Sequence, residues 1–287
     1  MFFLLLSVCF SVAVSVLLKL ARRRQWALAQ MVAVNYPVAA ALTWLVARPS
    51  WANADGFWAS WWLFALLGVL LPLVFVVMGR AVQAAGIVRA DAAQRVALVI
   101  PLLAAFLWFG ERLSPWSVAG IVLVFAALAC LLQRDGATEE GGGRHAALWL
   151  AGVWLGYGVI DVLLKRLSLA TAGAFSALLL LVFVLATLLS FAFLWARRTR
   201  WSRAPVAGGA LLGVLNFGNI FCYLQAHAAL KENPSVVFAG MNVGVIVLGA
   251  LIGAGLFRER LRPVNVAGVV LALIAVGCLA YARFVAA

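Results

Sequence analysis

Charge is scarce in this chain, and negative charge most of all. Nine Asp and Glu stand against 22 Lys and Arg in 287 residues, and only 11% of positions are charged, whereas 67% are hydrophobic. A soluble domain carries about 25% charged and about 45–50% apolar residues, so a water-soluble globule is excluded. Histidine occurs twice, and the four cysteines, Cys9, Cys130, Cys222 and Cys278, lie far apart inside apolar runs with no CxxC pair. That pattern offers neither a disulfide framework nor a metal site. A phosphate-binding glycine loop, HExxH, GxSxG and a carboxylate dyad are all missing, so the sequence indicates no enzyme and calls for no cofactor. The period-two alternation of a membrane barrel is missing too.

What is present is a series of apolar runs, each near the roughly 20 residues needed to cross the hydrocarbon layer as a helix. They predict ten transmembrane helices, near residues 2–20, 27–47, 57–79, 87–109, 116–133, 146–166, 172–196, 205–227, 234–257 and 263–284. In the first run the positive charge follows the apolar stretch, the reverse of a secretory signal, so it reads as a retained helix. The net charge of +13 fits basic helix ends meeting anionic lipid headgroups and does not require nucleic acid as a partner. An Ala- and Arg-rich composition points to a bacterial inner membrane.

The chain repeats itself. "GERLSPWSVAGIV" at 110–122 returns as "RERLRPVNVAGVV" at 258–270, a shift that also aligns Cys130 with Cys278, and "SVLLK" at 15–19 is matched by "DVLLK" at 161–165. Two five-helix units, 1–133 and 146–287, are therefore predicted, joined by a Gly- and Glu-rich linker at 134–145. Because five is odd, the second unit enters the membrane from the opposite side, giving inverted repeats of the secondary-transporter kind. Most Lys and Arg fall in odd-numbered loops, which by the positive-inside rule places both termini outside the cytoplasm.

These motifs, with "LQAHAALKENPSVVFAGMN" (224–242) and the lysines Lys19 and Lys165 that close the first helix of each unit, make the chain resemble the drug/metabolite transporter superfamily, specifically its ten-helix EamA-like permeases. The resemblance spans nearly the whole chain. It implies a permease, and an exporter; relatives are generally drawn with cytoplasmic termini, opposite to the charge count. The Glu111 and Glu259 turns are expected to be solvated at headgroup level, with a Glu–Arg pair beside each.

Polar groups deep in the membrane are costly and mark function. Arg95 lies near the middle of the fourth helix with Asp91 one turn earlier, a spacing that permits an ion pair. Asp161, one turn before Lys165, is a candidate to bind protons or a cationic group, or to pair with that lysine. Amides of Asn35, Asn216, Asn219 and Asn242, with Tyr36, are expected to converge at mid-membrane, and Pro37, Pro72 and Pro101 to break first-unit helices. Tyr223 and His227 are further lining candidates, and Asn233 is the expected cap of the ninth helix. Together these residues suggest a substrate-binding set for a small organic solute such as an amino acid, with an anionic group favoured by Arg95, Lys19 and Lys165, and with room for proton coupling. A lipid flippase and a non-transporting scaffold are the competing readings. Nothing in the sequence chooses between monomer and homodimer.

Overall fold

The structure, a computed structural model, describes residues 1–49, 61–85, 87–111, 114–132, 144–169, 172–257 and 263–285. Its regular structure is helical throughout these residues: α1 (Phe2–Arg23), α2 (Leu28–Leu42) continued by a π-helical turn (Thr43–Ala47), α3 (Trp61–Ala85), α4 (Ile87–Val96), α5 (Val99–Leu107), α6 (Pro115–Leu132), α7 (Arg144–Ser168), α8 (Ala172–Ala196), α9 (Arg203–Ala229), α10 (Pro234–Phe257) and α11 (Pro263–Val285). Helices are the local solution because an apolar segment must satisfy its backbone within itself when no water is at hand. Among the described residues, seven segments are long and apolar enough to cross a bilayer. Outward-facing side chains such as Trp195, 85% exposed, and Leu107, 83% exposed, suit contact with lipid.

The expected fourth helix is two helices. Pro101 has no N–H to donate to the Ala97 carbonyl, and its ring crowds that same carbonyl. The backbone tightens instead: Leu98 N–H donates to Arg95 O at 3.2 Å and Ile100 N–H to Ala97 O at 3.0 Å, the i to i+3 pattern of a 3-10 turn. The breaks expected at Pro37 and Pro72 do not occur, since α2 and α3 run through both prolines. One missing donor is tolerated where the turns on either side keep their bonds.

Packing joins the early helices to the late ones. α1 lies on α9 and α10, while α7 lies on α3, α4 and α5; α2 packs on α8 and α9, α3 on α7 and α8, and α6 on α11. Small-xxx-small spacings make the close approaches possible. At Gly209 an added Cβ would stand 2.7 Å from Met31 O, and at Gly213 2.6 Å from Val38 Cβ and 2.7 Å from Asn35 O, so α2 and α9 touch backbone to backbone. Gly240 and Gly244 seat Leu4 and Val8 of α1, and Gly152 and Gly156 seat Val77 and Val74 of α3. Gly213→Ala is expected to destabilise by about 1–3 kcal/mol through overpacking. Gly249→Ala, whose new methyl meets nothing within 4 Å, should be neutral or slightly stabilising. Thermal unfolding of the two purified variants checks this, and equal melting temperatures would refute the close α2–α9 contact.

Candidate functional site

The polar groups gather at two levels. Between α2 and α9, Asn216 Nδ2 donates to Asn35 Oδ1 at 3.1 Å. This juxtaposition follows from the glycine contact, because Gly213 presses on the Asn35 carbonyl one turn before Asn216. Next to Asn35, the fully buried Tyr36 has a phenol with no hydrogen-bond partner among the described residues, and Asn35 Nδ2 is equally unmet. Buried polar atoms are nearly always paired, so unmet ones at the seam between packed helices call for an explanation. Asn219 turns the other way, toward α1: Ser7 Oγ donates to Asn219 Oδ1 at 2.7 Å and lies 3.1 Å from its carbonyl. Asn242 does not join the convergence expected of it, since its amide donates to Phe238 O of its own helix at 3.1 Å.

Between α7 and α9, Tyr223 OH donates to Asp161 Oδ1 at 3.3 Å. His227, one turn beyond Tyr223, is fully buried, and its ring meets Tyr223 edge-on at 4.6 Å and Phe238 at 4.7 Å. Neither of its nitrogens has a hydrogen-bond partner among the described residues.

The Asp161–Lys165 pair does not form. Lys165 is fully buried, and its Nζ donates to the carbonyls of Lys231 at 3.0 Å and His227 at 3.3 Å, above the Phe109 ring. These carbonyls close the end of α9, where the last turn of a helix leaves C=O groups unpaired and favours a cation. A lysine near a helix end can snorkel to the headgroups; Lys165 instead turns inward to these carbonyls. Lys19, its repeat counterpart, is half-buried.

The solvated turn expected at Glu111 is also overturned. Glu111 is half-buried, and its carboxylate accepts the Ser235 N–H at 2.9 Å and the Ser235 hydroxyl. Ser235 is the second residue of α10, so a first-unit carboxylate caps a second-unit helix and satisfies the N–H that Asn233 was expected to take. Burial pushes the Glu111 carboxyl above its ordinary value, against the opposing pull of the two Ser235 hydrogen bonds and of the Lys165 charge. Glu111 and Lys165 thus clamp the α9–α10 turn from two sides. Sequence spacing gave no sign of this, because the partners lie 124 residues apart.

Arg95 sits half-buried in the last turn of α4, just before the break at Ala97. The side chains of Asp91 and Glu259 and the linker residues 133–143 lie outside the described residues.

A bundle of long apolar helices with amides, phenols and carboxylates held between them defines an integral membrane protein of the all-α class. The chain is 43% identical over 283 residues, covering 97% of each chain, to an uncharacterized protein of Haemophilus influenzae, and it belongs to that protein's family. No family model matches it. A protein of known crystal structure shares its fold, with a TM-score of 0.67 at 19% identity over 96% of this chain and 95% of the other.

Proposed function

We propose that the protein is a secondary transporter of small organic solutes, of the EamA-like branch of the drug/metabolite transporter superfamily, working as an exporter in a bacterial inner membrane. In this reading α4 and α5 together form one span, giving ten spans in two inverted five-helix units.

The observation that carries the proposal is the reciprocity of the packing. The first span, α1, lies on the eighth and ninth spans, α9 and α10. The sixth, α7, lies on the third, α3, and on the fourth, α4 with α5. The second span packs on the eighth as the seventh packs on the third, and the fifth and tenth pack on each other. Exchanging the units maps this set of contacts onto itself, as a pseudo-twofold arrangement requires. The broken fourth span fits as well, since discontinuous helices border the midplane sites of such transporters. The unmet polar atoms of Asn35, Tyr36 and His227 lie on α2 and α9, where a solute would supply their partners. Alternating access follows if one unit rocks against the other around this seam.

A thermal-shift screen of detergent-purified protein against amino acids, organic anions, amines and lipid headgroup analogues tests the reading. A solute at 100 times its Kd adds about 2.7 kcal/mol to the folded state. At least one water-soluble solute is expected to raise the melting temperature. Asn216→Leu, which removes the donor to Asn35, should weaken that response about tenfold while the protein still elutes as a single folded species. A response to lipid analogues alone would replace transport with lipid flipping, and no response at all would favour a scaffold.

A further inference from the structure

The end of the bundle where α1 passes into α2 and α8 into α9 carries a site of another kind. We propose that the groove at the end of α8 binds an anionic phospholipid of the surrounding bilayer, its phosphodiester held by arginines and an acyl chain laid along aromatic side chains, whatever solute the protein carries.

Two turns far apart in sequence are docked here. The buried amide of Gln30, in the first turn of α2, donates through Nε2 to Arg200 O at 2.6 Å and accepts the Ser202 N–H at 3.2 Å. Trp26 rests on Gly208 of α9, where an added Cβ would stand 2.7 Å from its ring. Arg22, Arg23 and Arg24 are thereby brought to the same end of the bundle as Arg197, Arg198, Arg200 and Arg203, all of them exposed. Residues 1–54 and 162–231, which supply both turns, contain no Asp or Glu. The two turns therefore contribute positive charge alone, which attracts anionic headgroups.

Basic residues at a helix end often do no more than offset its unpaired carbonyls. Here the backbone already does so. Gln25 and Arg198 both take left-handed conformations, with φ 55° and 48°, and close the same pattern of bonds. Gln25 N–H donates to Arg22 O at 3.1 Å and Trp26 N–H to Ala21 O at 2.9 Å at the end of α1, as Arg198 N–H donates to Trp195 O at 2.9 Å and Thr199 N–H to Leu194 O at 3.1 Å at the end of α8. Such Schellman turns need no cationic side chain.

The site has a shape as well as a charge. A groove of about 470 Å³ is lined by Phe191, Leu194, Trp195, Arg198, Thr199 and Trp201. Phe191 and Trp201 stack with centroids 5.4 Å apart, and Arg197 lies over the Phe193 ring at 5.2 Å. Tryptophans at a helix end suit the boundary between acyl chains and headgroups. A guanidinium presents two parallel N–H donors to phosphate oxygens, and the Thr199 hydroxyl adds another donor. A free phosphate would leave the aromatic wall unused, and an uncharged lipid would leave the arginines unused; an anionic phospholipid uses both.

The test measures binding to the delipidated full-length protein in detergent, by native mass spectrometry and thermal shift, of dioleoylphosphatidylglycerol, dioleoylphosphatidylcholine and glycerol 1-phosphate. The first two share acyl chains and differ in net charge, and the third keeps the phosphate without chains. Phosphatidylglycerol is expected to bind about tenfold or more tightly than either of the others and to raise the melting temperature. Arg197→Gln, Arg198→Gln and Arg200→Gln combined should weaken it about tenfold or more, whereas the same loss of three charges at Arg258, Arg260 and Arg262 should weaken it less than about twofold. Trp195→Ala, at a side chain 85% exposed, should weaken it about threefold with every arginine in place, and it gives the readout if the triple variant does not fold. Asn216→Leu should leave lipid binding unchanged. Equal binding of the two lipids, glycerol phosphate binding as tight as the lipid, equal losses in the two triple variants, or binding untouched by both the arginine triple and Trp195→Ala overturns the site and leaves transport standing. Loss of the lipid response in Asn216→Leu overturns it too, and moves the lipid into the α2–α9 seam in favour of lipid flipping.

Discussion

Lys165→Met is expected to lower stability by about 2–4 kcal/mol, whereas Lys19→Met should cost about 1 kcal/mol or less. The two lysines occupy the same place in the repeated sequence, so a reading from sequence would treat them alike. Lys165 is sealed from solvent and its Nζ satisfies two carbonyls at the end of a facing helix, whereas Lys19 is half-buried. Removing the ammonium strands those carbonyls in a buried setting, and an orphaned buried polar group costs about 1–3 kcal/mol. It also takes away a positive charge that acts on Glu111. Methionine keeps most of the volume, so the loss reports the polar contacts rather than a cavity. At about 2–4 °C per kcal/mol for chains near this size, the Lys165 variant should melt roughly 5–15 °C below wild type. Equal shifts for the two variants would show that the clamp on the α9–α10 turn does not form.

Glu111 should behave differently according to its replacement. Glu111→Ala removes the partner of the Ser235 N–H and hydroxyl and leaves the start of α10 uncapped, a loss of about 2 kcal/mol from capping groups of this kind. Glu111→Gln keeps a carbonyl oxygen to accept the N–H and sheds a charge that burial disfavours, so at neutral pH it should lie within about 1 kcal/mol of wild type. The two variants also separate by pH. Because the folded-state pKa of Glu111 is raised above 4.5, the folded protein holds this proton more tightly than the unfolded chain. The stabilisation linked to it is fully present below pH 4.5 and is lost as pH rises through the raised value. Wild type should therefore lose ground to Glu111→Gln on going from pH 4.5 to neutral, and the melting temperatures of both, measured across that window, give the sign directly. A gap that widens in favour of wild type would mean that Ser235 and Lys165 outweigh burial.

The Glu111 contact joins the two predicted units and the Lys165 contacts join residues 62 and 66 positions apart in sequence, and they mark where sequence reasoning stopped. The apolar runs located the helices to within a few residues in most cases, since length and hydropathy are local properties. The interruption at Ala97 was foreshadowed by Pro101, yet the same argument applied to Pro37 and Pro72 failed. The chemistry of a missing donor is local, but whether a helix bends or breaks depends on what packs against it. The four asparagines were identified as deep polar residues, and of these Asn35 and Asn216 meet each other, Asn219 meets Ser7, and Asn242 bonds its own helix. Their partners were set by how α1, α2 and α9 sit together through Gly208, Gly209, Gly213 and Gly218, small-residue notches whose spacing was readable in the sequence but whose occupants were not.

The sequence alone determined that this protein lives in a membrane, that it is built of helices and that one stretch of it is written twice. Composition and periodicity carry that much because they express how each segment meets its solvent. The tertiary structure decided which charged and polar groups are spoken for. It turned Lys165 from a charge offered to an anionic solute into a helix-end clamp, Glu111 from a surface turn into the cap of a distant helix, and Asp161 from half of an ion pair into a carboxylate faced by tyrosine. Hydrogen bonds reach only about 3 Å, so their partners are fixed by the docking of helices far apart in sequence.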